Sequence, residues 1–398
     1  MKVRHVILRQ FQIHGPAEPL DSVKTLQADS GAMVDVEPVK IEYDDLTRQK
    51  AAEIAGMKDI AAIAPAIPVK LIAPVDREPG DVSTAARDSW GIEAVGADIS
   101  PFDGSGIVVA LLDTGIDPDH PSFEGIELIR KNFTSEADND IVGHGTHCAG
   151  TVFGRNVSGS RIGVAPGIKK ALIGKILGKG GSSSDIVTEG IQWAVQNGAN
   201  IVSMSFGIDF PGYVGQLTGK GIPVDLATSM ALEGYRSNVL LFERLAAMIR
   251  VLGDFRQPCL LVAAAGNESR RNVNPDYVIS VSPPAVAEGM ISVAALNKVS
   301  DGYTVASFSN TGARVSAPGV GILSAKRGGG LELLSGTSMA TPHVAGVAAL
   351  WAQKLRNENA LKGTILTDKL MGSANYEGMK AGFLPADIGS GIVRAPFD

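Results

Sequence analysis

Residues 107–117 read Ile-Val-Val-Ala-Leu-Leu-Asp-Thr-Gly-Ile-Asp. Residues 107–112 form a continuous apolar run without polar alternation. A strand with one wet face alternates, so this run belongs to a strand covered on both faces. It stops at Asp113-Thr114-Gly115, where a charge and a glycine end it. The pattern returns at 171–177, which runs into Gly178-Lys179-Gly180-Gly181, and again at 201–206, 259–265 and 290–296. Between these runs lie stretches of helical character, 185–197 and 225–252. Buried runs alternating with helices predict an α/β fold, a mostly parallel sheet with helices on both faces. In such sheets the ligand site lies outside the carboxyl ends of the strands, so Asp113 stands at the rim of the expected site.

Upstream of this region the texture differs. Residues 5–13 and 34–43 alternate as strands, the second through Val34, Val36, Val39 and Ile41. Asp44-Asp45 is the expected cap of a helix running to Met57, and 61–72 reads as a further apolar strand. Residues 1–74 therefore make a small α+β domain. Residues 75–89 are polar, contain Pro79 and Gly80, and read as a linker to the domain at 90–398.

Composition excludes several classes. Of 398 residues, 44% are hydrophobic and 20% charged, which rules out a disordered chain. The 47 glycines have no three-residue period, so they mark turns and close approaches, not collagen. A net charge of −6, no basic tract and 5% aromatic residues argue against a nucleic-acid partner. Cys148 and Cys259 cannot make a disulfide scaffold and are expected as free, buried thiols. No apolar run reaches the length of a membrane span. Residues 1–10 carry charges and no apolar core, so no secretory signal is read. The chain as it stands reads as cytoplasmic, or as secreted if a leader has been removed.

Three segments carry the chemistry. The first is Leu111 to Asp117, with Asp113 at its strand end. The second is Gly143-His144-Gly145-Thr146-His147-Cys148-Ala149-Gly150. His144 and His147, three apart, suit a metal pair poorly, because no Glu follows His144 and no third ligand is recognisable. The third is Ser335-Gly336-Thr337-Ser338-Met339-Ala340-Thr341-Pro342-His343-Val344-Ala345-Gly346. Pro342 belongs in a first helical turn, so the helix begins near Ser338 and presents that serine at its positive end. Alone, each residue is a cap, a turn or a core group. Together, a serine, a base to take its proton and an acid to fix the base's tautomer make a nucleophilic centre.

In the order Asp, His, Ser these stretches resemble the signatures of the subtilisin-like serine proteases, and the resemblance covers about residues 90–398. It implies a serine endopeptidase with Asp113, His144 and Ser338 as its triad. It implies that Asn267, in Ala263-Ala264-Ala265-Gly266-Asn267, donates to the oxyanion beside the Ser338 N–H. It places substrate along Gly178, Gly180 and Gly181 on one side and Ser205 and Gly207 on the other. Asp117 matches a family position without a catalytic role. The chemistry implied requires no cofactor. Relatives often bind calcium in the loop at 155–161, but here it offers Arg155 and Arg161 and no carboxylate, a poor calcium site. Residues 208–258 exceed the single helix usual there and form an insertion expected to tune access to the cleft. By position and class, residues 1–74 resemble a prodomain, an intramolecular inhibitor of a self-processing precursor. Its segment 66–74 is expected in the cleft, with cleavage at about 74–90. The rivals are an acyl-transferring peptide ligase or macrocyclase on the same triad, an inactive binding pseudoprotease, and a zinc hydrolase.

Overall fold

The computed structural model describes residues 2–10, 13–14, 35–36, 39–75 and 89–398. Positions 11, 12, 34, 37 and 38 of the expected strands, and residues 76–88 of the expected linker, lie outside the described residues.

The N-terminal region is a three-stranded antiparallel sheet. Strand β1 (Val3–Arg9) lies between β2 (Ile41–Leu46) and β3 (Ile60–Pro65). Alternation sorts its two faces. Ile7 packs with Leu46 and with Ile54 of helix α1 (Arg48–Ala55), while Val6 and Leu8 point into the main body. Asp44 and Asp45 lie in β2; the cap of α1 is Thr47, whose hydroxyl oxygen accepts from the Lys50 N–H at 3.2 Å. The run at 61–72 is two strands. β3 ends at Pro65, and β4 (Pro68–Leu71) enters another sheet, because a proline at each break offers no N–H to continue the ladder.

The body is an eight-stranded sheet. β5 (Val108–Asp113) lies at its centre, β6 (Glu127–Asn132) at one edge, and β7 (Lys170–Lys175) between them, all parallel. On the other side of β5 run β8 (Ile201–Met204), β9 (Leu260–Ala264) and β10 (Met290–Val299), also parallel. Val315–Pro318 joins β10 in parallel and Gly302–Val305 joins it antiparallel. The strand order reverses at β5, so its carboxyl end opens on a crevice. The α/β expectation holds, and the small antiparallel sheet at the N-terminus accompanies it.

Helices α2 (His144–Phe153) and α6 (Thr337–Asn357) are buried against one face of the sheet. On the other face lie α3 (Ser184–Gln196) and the insertion, which is α4 (Phe210–Gly219) followed by the 32-residue α5 (Val224–Phe255). The N-terminal sheet docks on this second face. Val6, Leu8, Ala62, Ala64 and Ile67 share one apolar cluster with Ile191 of α3 and with Leu241, Phe242 and Leu245 of α5. Burying a side chain such as Leu8 or Ile67 is worth about 1.5–3 kcal/mol each. Asn238 of α5 donates to the Pro65 carbonyl at 2.9 Å, and Gly234 leaves room for Pro65 and Ile67. Among the described residues no helix is long and apolar enough to cross a membrane. Cys148 and Cys259 are free and buried, as expected.

Candidate active site

Asp113 ends β5, and its Oδ1 accepts from the Thr114 N–H (2.7 Å) and faces His144 Nδ1 at 2.8 Å. His144 is the first residue of α2. The helix approaches the Asp113 turn so closely that a Cβ on Gly145 would stand 2.2 Å from the Gly115 carbonyl oxygen. Gly143, the cap residue, sits at φ 102, the left-handed region that favours glycine. With no side-chain cap from Gly143, the helix start is held by Asp140. Its buried carboxylate accepts from the N–H groups of Val142 (3.0 Å), Gly143 (2.8 Å) and Thr146 (2.9 Å) and from the hydroxyls of Thr114 (2.9 Å) and Thr146 (2.7 Å). An Asp four residues before a helix-starting His is a capping signal, and the sequence reading missed it.

Ser338 is the second residue of α6. Pro342 lies in the second turn of that helix, not the first. Lacking an N–H, it leaves the Ser338 carbonyl free, and that oxygen accepts from the Cys148 thiol and the Ser205 hydroxyl, each at 3.4 Å. The helix thus tolerates proline because two neighbouring side chains satisfy the orphaned acceptor.

Burial opposes the charged form of His144, but the Asp113 carboxylate, helped by Cys148, outweighs it and holds the imidazole well above its ordinary pKa. Cys148 Sγ lies 3.8 Å from His144 Nδ1, and burial pushes its thiol up. Asp113, His144 and Cys148 therefore group together. His147 points elsewhere: its Nε2 meets the Ile322 carbonyl at 3.0 Å, and burial depresses its pKa to about 3.

The cleft holds the chain's own segment. β4 pairs antiparallel with Phe206–Ile208 on one side, in the register Phe206↔Leu71, Gly207↔Lys70, Ile208↔Val69, and with Ser182–Ser183 on the other. The Ser205 carbonyl accepts from the Ile72 N–H at 3.3 Å. Of the residues expected to flank substrate, Ser205 and Gly207 line the segment. On the other edge the ladder forms at 182–183, after the glycines. Gly181 lies against it, since a Cβ there would stand 2.7 Å from the Val69 carbonyl oxygen, whereas Gly178 and Gly180 shape the adjoining turn and cavity wall.

Ser338 Oγ donates to the Ile72 carbonyl at 2.8 Å, and His144 Nε2 has no hydrogen-bond partner among the described residues. Asn267 follows β9. Its Oδ1 accepts from the Thr337 N–H and hydroxyl, both at 2.8 Å, so its Nδ2 is turned into the cleft, where it donates to the Ala73 carbonyl at 2.9 Å. Val75 N–H then reaches the Ser335 carbonyl at 2.8 Å. The serine and the amide thus hold successive carbonyls, and the hydroxyl proton is directed away from the base. The carbonyl at the serine is also two residues before the expected 74–90 cleavage window.

At the loop 155–161, the Arg155 guanidinium donates to the Ile168 carbonyl, and the Arg161 guanidinium donates to the Gly163 and Val164 carbonyls.

The profile of the Subtilase family matches residues 104–385. Subtilisin-like protease 6 of Arthroderma benhamiae is 35% identical over 271 residues, which are 66% of this chain and 57% of that protein. The thermostable alkaline protease of Halalkalibacterium halodurans is 32% identical over 368 residues, 90% of this chain and 83% of its own length. The crystal structure of fervidolysin from Fervidobacterium pennivorans, titled a keratinolytic enzyme related to subtilisin, superposes with a TM-score of 0.62 at 24% identity, covering 99% of this chain and 60% of that one. The chain thus spans little more than half the length of the first of these relatives. With the profile spanning well over half of the sequence and the fold and the three signature stretches in agreement, the chain belongs to the subtilase family.

Proposed function

We infer that the protein is a serine endopeptidase that hydrolyses polypeptides through an acyl-enzyme and is made as a self-processing precursor. The observation that carries this reading is an extended peptide laid between two strand edges with its Ile72 carbonyl 2.8 Å from Ser338 Oγ, beside an Asp113–His144 pair. Ser338 attacks the scissile carbonyl once its proton is turned to His144 Nε2. His144 passes that proton to the leaving amine, and Asp113 holds the tautomer and stabilises the imidazolium. Asn267 Nδ2 and the Ser338 N–H, at the positive end of α6, stabilise the oxyanion. These roles fall to four side chains and the Ser338 backbone N–H, and no step is routed through a cofactor.

Residues 1–74 act as the prodomain. Strand addition along β4 gives affinity by main-chain bonds, and the tether makes the local concentration high. A one-residue slide toward the amino terminus would bring the Ala73 carbonyl to the serine; a small shift of the Ile72 carbonyl into the reach of Asn267 would cleave after Ile72. Proline at 74 makes the bond after Ala73 the poorer leaving site, so cleavage after Ile72 is the event favoured. The linker at 75–89 is then open to further trimming. Intact masses of wild type and Ser338→Ala test this. Wild type should lose 72 residues or slightly more, with Ser338→Ala staying whole. Both chains remaining full length while the wild type turns over peptide would overturn self-processing; equal peptide turnover by the two would overturn the enzyme reading.

A further inference from the structure

We propose that Asp209 makes the cleft select a basic residue at the third position before the cleaved bond. This inference rests on the endopeptidase reading above and names its substrate class. With Ile72 at the serine, Lys70 occupies that third position, and the register Gly207↔Lys70 fixes the direction in which its side chain leaves the ladder. Lys70 Nζ lies 3.2 Å from Asp209 Oδ1.

The carboxylate is anchored by its own helix as well as by the bound segment. Asp209 is the N-cap of α4, where its Oδ1 accepts from the Gly212 N–H at 3.3 Å. The positive end of a ten-residue helix favours its charge. Its own N–H donates to the Pro68 carbonyl at 2.9 Å, so the backbone that positions the carboxylate is itself part of the ladder. Its side chain is 27% exposed and that of Lys70 46%. Both line a cavity of about 900 Å³ beside the segment, whose wall also carries Lys179 and Lys220. Without Asp209 that wall is cationic and repels a basic side chain. Asp209 is thus a specificity residue on the first residue beyond Ile208, at the point where the insertion departs. It touches the bound peptide but not the reacting atoms. A half-exposed ion pair of this kind changes an equilibrium by about twofold to fivefold.

The test uses peptides copying residues 68–73, Pro-Val-Xaa-Leu-Ile-Ala, with Lys, Gln or Glu at Xaa. Wild type should show kcat/KM about threefold to fivefold higher for Lys than for Gln, with Glu poorest, and the ratio should shrink at 1 M salt. Asp209→Asn keeps a residue that caps helices well, so α4 should persist while the Lys-to-Gln ratio falls to one or below. Asp209→Lys should put Glu ahead of Lys. A wild-type ratio of one, or a ratio unchanged in Asp209→Asn, overturns the proposal. A second measurement does not depend on turnover. In full-length Ser338→Ala, hydrogen exchange across residues 68–72 should speed up about threefold with Lys70→Gln, about threefold with Asp209→Asn, and no further with both. Additive effects would refute the pairing. Failure to cleave any peptide would instead remove the endopeptidase reading, and the exchange coupling would still judge the recognition.

Discussion

Asp140 is the residue whose removal should most disturb the site without touching substrate. Its Oδ1 serves Thr114, Val142 and Gly143, and its Oδ2 serves the N–H and hydroxyl of Thr146. Asp140→Asn keeps an oxygen for only one of these groups. The better orientation keeps the three donors at Oδ1 and turns an NH₂ toward Thr146. The Thr146 N–H then loses its acceptor, and the Thr146 hydroxyl, which already accepts from the Asp117 N–H at 2.9 Å, loses its own. Two charge-assisted bonds at about 1.5–3 kcal/mol each set a loss of about 3–6 kcal/mol. Thr114→Val deletes one of the five bonds and frees the Gly145 N–H that Thr114 Oγ1 accepts at 2.9 Å, so it should cost about 1–2 kcal/mol. Urea unfolding in the Ser338→Ala background, where self-digestion is absent, reads both values. Because α2 begins at His144, a displacement of about 1 Å at its start should also lower kcat/KM by about 10²-fold in the active protein. Asp140→Asn within about 0.5 kcal/mol of its parent, with unaltered kcat/KM, would refute the view that this carboxylate sets the position of the base.

Asn267→Ala should lower kcat by about 10²- to 10³-fold, the loss characteristic of this donor in subtilisin itself, with KM little changed; a fall confined to KM would deny it the oxyanion role. The Asp113-supported rise in the His144 pKa places the acid limb of kcat/KM above pH 6.5, because the base must be neutral to accept a proton. The same shift contributes stability that is full below pH 6.5 and is lost as pH rises through the raised value, so the stability difference between wild type and Asp113→Asn should shrink as pH rises; a flat difference would contradict the cause assigned. In the N-terminal sheet, hydrogen bonds from Arg9 hold the Glu42 carboxyl down to about 2. That contribution is present above pH 4.5 and lost as pH falls through about 2, so acid should speed hydrogen exchange in β1 and β2, and Glu42→Gln should flatten the dependence.

The parts of this molecule legible in its sequence are those encoded locally. The apolar run at 107–112 could only be a strand covered on both faces, and Asp113 could only end it. Gly145 follows His144 because a close helix approach needs it, and Gly143 precedes it because the turn there needs a positive φ. What was not legible depends on partners far along the chain. Residues 61–72 carry one apolar pattern, yet Ile60–Pro65 pairs with β1 and Pro68–Leu71 crosses to the cleft; alternation says nothing about which edge a strand joins. Asp44 and Asp45 looked like caps, but cross-strand pairing with Val3–Arg9 drew them into β2 and left the role to Thr47. Pro342 pointed to a first turn, and its place in the second rests on Cys148 and Ser205 filling the acceptor it frees. Asp209 and Lys70 are far apart in sequence and meet only through the ladder.

The most direct test of the proposed triad is covalent. Wild-type protein incubated to completion with an aryl fluorophosphonate, then digested and mapped by mass spectrometry, should carry one phosphonyl group, on Ser338, and His144→Ala should lose it. An unmodified Ser338, an adduct on another residue, or labelling indifferent to His144 would contradict the account.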